Sequence, residues 1–156
     1  MYSKEEIKQI RTEFWDGFQS YSAPKRRRLG KQKKWTMQNT GIKAIDLKFH
    51  IDRKIASVGM DVISKSLENK VAYWNKLIGL QTLLNAEFNQ EVIWDDMFTL
   101  ESGKDIIRIA IYKENVSLIK KECWQEVYEF FFDNMIKFED FLEEYKDIIR
   151  IRQGEM

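Results

Sequence analysis

The chain has 156 residues, of which 13% are aromatic and 33% charged, with 26 basic side chains against 25 acidic ones. This length predicts one domain with a ring-rich core and argues against disorder, and a net charge of +1 excludes a whole-molecule field that gathers polyanions. A lone cysteine, Cys123, excludes an internal disulfide and fits a reducing compartment.

Ser3 and Glu6 have the spacing of a capping box, and Ile7, Ile10, Phe14, Phe18 and Tyr21 follow at helical intervals. They predict a first helix, closed by Pro24, the only proline. The segment Lys25 to Lys34, with seven basic residues in ten, has no period and reads as a loop. From Trp35 the period changes to two. Trp35 and Met37 alternate with polar residues, and Asn39-Thr40-Gly41 reads as a turn. Ile45, Leu47, Phe49 and Ile51, then Ala56, Val58, Met60 and Val62, predict two paired strands. If Asp52-Arg53 is a two-residue loop, Phe49 lies opposite Ala56, Leu47 opposite Val58 and Ile45 opposite Met60, and the apolar faces coincide; Asp-Arg is not a favoured hairpin dipeptide, so a longer loop stays open.

Ser64 or Ser66 is the expected cap of a second helix. Its broad apolar face runs through Leu67, Val71, Trp74, Leu77, Ile78, Leu84 and Phe88 to an end at Asn89. Val92-Ile93-Trp94 reads as a short strand, Glu101-Ser102-Gly103 as a turn, and Asp105 to Lys113 as the last strand. From Trp124 to Ile149 apolar residues step by four and three. This predicts helix, with one segment or a break near Asp133-Asn134 both open. The expected fold is α+β: a single domain, 1–156, with an antiparallel sheet of about five strands against N-terminal, middle and long C-terminal helices.

One histidine and one cysteine leave no zinc set, so no metal or other cofactor is expected. His50 and Ser57 share a sheet face without a nucleophile elbow, and no phosphate-binding glycine loop occurs. Cys123, among Trp124, Val127 and Tyr128, reads as a structural thiol. The element order is similar to the core of the PD-(D/E)XK nucleases, in which two acids on adjacent strands hold Mg²⁺. Asp46 and Asp61 fall on one polar face and Lys48 lies beside them, but Ile63 stands where that motif needs lysine. A Mg²⁺-dependent nuclease using Asp46, Asp61 and Lys48 is therefore the alternative reading. Its counterpart is a polar sheet face with Lys48 and Asp46 as solvated charges.

The basic segment offers Lys25, Arg26, Arg27, Arg28, Lys31, Lys33 and Lys34 to phosphates, with Trp35 placed to stack on a base. The C-terminal stripe offers a second reading as a homodimer seam, since Phe130, Phe132 and Phe141 exceed the needs of one stripe.

Glu13-Phe14-Trp15, Ser57-Val58-Gly59-Met60-Asp61-Val62, Glu68-Asn69-Lys70, Leu84-Asn85-Ala86-Glu87-Phe88 leading to Trp94, Arg108-Ile109 and Trp124 together resemble a bacterial family, domain of unknown function 4268. The resemblance spans nearly the whole chain. It implies an association with DNA-related systems, since members occur alone or behind a nuclease-like domain, and it carries over no catalytic residues. The run from Lys25 to Lys34 lies outside that pattern. The expected function is a non-enzymatic interaction module of a bacterial cytoplasm. It would contact nucleic acid through the basic segment, with no membrane partner: the charged start is no signal peptide and no apolar run reaches the roughly 18 residues a membrane helix needs.

Overall fold

A computed structural model of the chain describes residues 1–31, 35 and 40–151. In chain order the elements are α1 (Lys4–Arg28), β1 (Ile45–Ile51), β2 (Ile55–Val62), α2 (Leu67–Ile78), α3 (Gln81–Asn85), β3 (Ile93–Thr99), β4 (Asp105–Glu114) and α4 (Trp124–Ile149). The fold is α+β. The antiparallel sheet has four strands among the described residues, in the order β1-β2-β4-β3. Of the stretch where the sequence suggests a further strand, residues 36–39 lie outside the described ones. The chain divides into two compact units: Met1–Gln38, Phe49–Ser57 and Tyr112–Asp133 in one, Asn39–Lys48, Val58–Ile111 and Asn134–Met156 in the other.

In the first unit the capping box forms as its spacing requires. Glu6 N–H donates to Ser3 Oγ and Ser3 N–H to Glu6 Oε1, both at 3.1 Å. One face of α1 carries Phe14 and Phe18 into a cluster of rings. Phe14 packs edge-on against Trp15, Trp124 and Phe131, while Trp15 lies parallel to Phe131 at 5.8 Å. Phe49 of β1 closes on Trp15, Phe18 and Phe131. Such ring pairs stabilise beyond the area they bury, so this cluster fixes α1 against the first turns of α4. The Tyr128 hydroxyl donates to the Phe14 carbonyl at 2.8 Å. Cys123 is buried, its thiol donating to Ser117 O and accepting from Ser117 N–H.

Two expectations for this region are corrected. Pro24 does not end α1; it lies inside it, and Lys25 to Arg28 form the last helical turn rather than a loop. The buried face steps by four through Phe14, Phe18, Ser22 and Arg26, carrying past the proline. Arg26 is buried with its guanidinium 4.2 Å from the centre of the Trp35 ring, and Lys25 lies over Tyr21 and Phe132. These contacts, with four cations at the negative end of the helix dipole, offset the donor that proline removes. The second correction concerns the hairpin. Asp52 N–H donates to Ile55 O, so the loop centres on Arg53-Lys54 and Ile51 faces Ala56. The pairing is shifted by two residues, which leaves every side chain on its expected face. Asp52 dictates the turn by accepting the Lys54 and Ile55 amides on Oδ1 at 2.7 and 2.8 Å.

In the second unit the Ile63 amide donates to Ala44 O, the same register met from the other end of the hairpin. Ser66 caps α2 through Asn69 N–H. The helix does not run on to Asn89. It stops at Gly79, and a tight turn through Leu80 separates it from α3. Tyr73, Leu77, Leu80, Leu84 and Phe88 are buried, and Phe88 meets Phe138 of α4 at 4.7 Å. The strand expected at Val92 to Trp94 is longer, Ile93–Thr99, and is interrupted between Asp95 and Phe98, where Asp95 Oδ1 accepts the Met97 amide. The turn to β4 bends at Gly103, whose φ of 88° suits glycine. The central strands approach closely at Gly59: a Cβ there would collide with the Ile109 carbonyl oxygen and lie 2.6 Å from Ala110 Cα.

α4 is one helix of 26 residues, unbroken at Asp133-Asn134. Tyr128, Phe131, Met135, Phe138, Leu142 and Ile149 are buried along it, and so are Phe132 and Phe141. Among the described residues no helix is long and apolar enough to cross a membrane.

Candidate functional site

The second unit gathers acids on one sheet face. The register set by Ala44 and Ile63 places Asp46 of β1 directly opposite Asp61 of β2. Asp61 is buried and is held by Arg108 of β4: Nε to Oδ1 and Nη2 to Oδ2, each 2.8 Å. Asp95 of β3 is the register partner of Arg108. A row of Asp46, Asp61, Arg108 and Asp95 thus crosses the four strands. Phe98 adds its ring, 4.0 Å from the guanidinium carbon of Arg108. A bidentate pair with a ring beneath the guanidinium suits arginine and not lysine. Lys48 stays on the exposed part of the face, 3.8 Å from Asp46.

The sequence reading brings Asp46 and Asp61 onto one face, and the structure leaves Lys48 54% and Asp46 44% exposed there. β2 is buried on both sides, Ser57 and Asp61 included. The reading also misses Arg108, which takes both oxygens of Asp61. The available signal is an arginine between Ile107 and Ile109 in the otherwise apolar run from Ile106 to Ile111: a charge at such a position needs a partner. Among the described residues no group of three or more His, Cys, Asp or Glu is placed to hold a metal ion. His50 lies at the exposed edge, its Nε2 3.1 Å from Asp52 Oδ2.

The basic segment belongs to the first unit. Lys25 and the buried Arg26 face rings, and Lys31 N–H donates to Arg26 O. Arg27 and Arg28 are exposed at the end of α1. Lys33 and Lys34 lie outside the described residues. Trp35, expected to meet a base, lies parallel to Phe18 at 5.9 Å and packs edge-on against Phe49 and Phe132. Its ring is engaged within the unit, and among the described residues of the segment the exposed basic side chains are Arg27 and Arg28.

A model of the family described as "Domain of unknown function (DUF4268)" matches residues 10–146. No curated protein matches the chain significantly, and no solved structure does.

Proposed function

The chain belongs to the DUF4268 family, and from that premise and its side-chain geometry we propose that it is a non-enzymatic interaction module of a bacterial cytoplasm that contacts nucleic acid through the basic end of α1. The observation that carries this reading is the division of labour in the last turn of α1. Arg26 is buried against Trp35 while Arg27 and Arg28, its neighbours, point two guanidiniums into solvent from an anchored turn. An anchored turn loses less side-chain and backbone freedom on meeting a phosphate than a loop does. Lys25, Lys31, Lys33 and Lys34 add charge to the same segment.

The pairing of Asp61 supports the non-enzymatic side of this reading. Two facing carboxylates are the start of a Mg²⁺ site, but Arg108 already occupies both oxygens of Asp61. Recruiting that carboxylate to a cation would break a buried ion pair, which costs about 3–5 kcal/mol.

Fluorescence anisotropy with labelled single- and double-stranded oligonucleotides across a salt series tests the proposal. Wild type is expected to bind with a log–log salt slope. Arg27→Glu/Arg28→Glu should lower the slope's magnitude by roughly 2, near one unit for each phosphate no longer neutralised. Both residues are exposed, so the fold is expected to survive, as circular dichroism would verify. Absence of binding at low salt, or binding and slope unchanged in the double variant, removes the reading.

A further inference from the structure

Trp35 is the only ring between Tyr21 and Phe49 in the sequence, so it alone is available to give the segment from Lys25 to Lys34 a surface for a base. The structure turns that ring inward. Phe18 lies parallel to it at 5.9 Å with the planes 2° apart, Phe49 and Phe132 meet it at 5.3 and 5.5 Å, and the Arg26 guanidinium lies 4.2 Å from its centre. Its indole nitrogen is buried. Tyr21 carries the Lys25 ammonium over its own face at 5.0 Å. Among the described residues the exposed aromatic side chain is Tyr2, which precedes α1. The 25 residues of that helix set it roughly 35 Å from the arginines at the other end.

We propose, on the nucleic-acid reading of this site, that its ligand is a duplex held by its phosphates rather than a single strand. Proteins that hold single strands combine a basic track with rings on which the bases stack, and each stack strengthens binding about 5- to 150-fold. Freeing Trp35 for a base would open its contacts with Phe18 and Phe132, both buried. The exposed Arg27 and Arg28 contribute charge instead. Charge favours the duplex, which carries one phosphate for about every 1.7 Å of its axis and releases about 0.9 counterion per contact, against about 0.7 for a single strand. Two such contacts separate the two forms by about 0.4 unit of salt slope, which is about threefold in affinity at about 50 mM salt.

Anisotropy of a labelled DNA strand of mixed sequence, alone and annealed to its complement, compares the two forms on the whole chain at about 50 mM salt. The duplex is expected to bind about threefold or more tighter, and tryptophan emission to stay unchanged at saturation with the single strand. Equal or tighter binding of the single strand overturns the duplex assignment and leaves nucleic-acid contact itself standing. A loss of emission with the single strand that Trp35→Phe abolishes also overturns it, because a base would then lie on that ring. Absence of binding to either form removes nucleic-acid contact and the duplex assignment with it.

Discussion

Asp61 and Arg108 face each other across β2 and β4 through two hydrogen bonds of equal length, 2.8 Å. The pair lies where the sheet is closed, with the side chains 4% and 19% exposed, so neither charge has enough water to stand alone. Losing one partner is expected to be far worse than losing both. Arg108→Leu should destabilise the chain by about 3–5 kcal/mol, because the carboxylate stays behind uncompensated. Asp61→Leu/Arg108→Leu should recover most of that loss. Urea midpoints for the two single variants and the double variant give the coupling directly. Single variants that add up to the double would show that the pair is not acting as a unit.

Gly59 controls how closely those same strands approach. A Cβ at this position meets backbone atoms of Ile109 and Ala110 that no rotamer change can move away. Gly59→Ala is therefore expected to push β2 from β4 and to lower stability by about 2–4 kcal/mol. Gly103→Ala provides the contrast. Nothing lies within 4 Å of its Cβ position, and only the φ of 88° opposes the substitution, so a loss of about 1 kcal/mol is expected. Thermal melts of the two variants should rank in that order.

Which parts of this architecture are legible in the sequence follows from which forces are local. The hairpin faces are legible because alternation survives a shift of two residues: the reading that set Ile45 opposite Met60 misplaces the turn yet leaves each side chain on its proper side. The turn itself is set by the Asp52 carboxylate reaching two amides, a side-chain effect that dipeptide preferences for hairpins do not contain. Pro24 misleads for a tertiary reason. Its local penalty is real, but Arg26 and Lys25 find rings beyond it, and the spacing of Phe14, Phe18, Ser22 and Arg26 is the sequence trace of that continuation. Asp46 and Asp61 are legible as neighbours, since strand order and parity suffice. Arg108 is not, because recognising it requires knowing that β4 lies beside β2.

Asp52 joins turn chemistry to pH. Burial works against its charged form, but the Lys54 amide, the His50 ring and the Ile55 amide together outweigh that and hold its carboxyl below the usual value of 3.8. A lowered carboxyl contributes stability that is present above its unfolded value and is lost as pH falls below it. Asp52→Asn is expected to lower stability at neutral pH by about 1 kcal/mol. It should also flatten the acid limb of the stability curve below about pH 4. Chemical denaturation of both chains from neutral to acid pH measures this, and parallel acid limbs would assign the acid sensitivity elsewhere.

At the alkaline end Tyr128 governs. Its hydroxyl is enclosed between α1 and the start of α4, donating to Phe14 O, and desolvation pushes its pKa up to about 12 from 10.0. The raised value means that the folded chain holds the proton more tightly than the unfolded one. Its contribution is therefore complete below pH 10 and is lost as pH rises toward 12. Tyr21 is raised as well, by burial and then by Asp133 and Glu129, so the alkaline limb is shared between two phenols of the same unit. Tyr128→Phe removes one of them along with a buried hydrogen bond. It is expected to lower stability at neutral pH by about 1–2 kcal/mol and to make the decline above pH 10 shallower without abolishing it. Denaturation midpoints at neutral and alkaline pH, with the phenolate absorbance followed in parallel, separate the two effects. A variant whose alkaline limb matches the wild type would show that Tyr128 titrates alike in the folded and unfolded states and that Tyr21 carries the dependence.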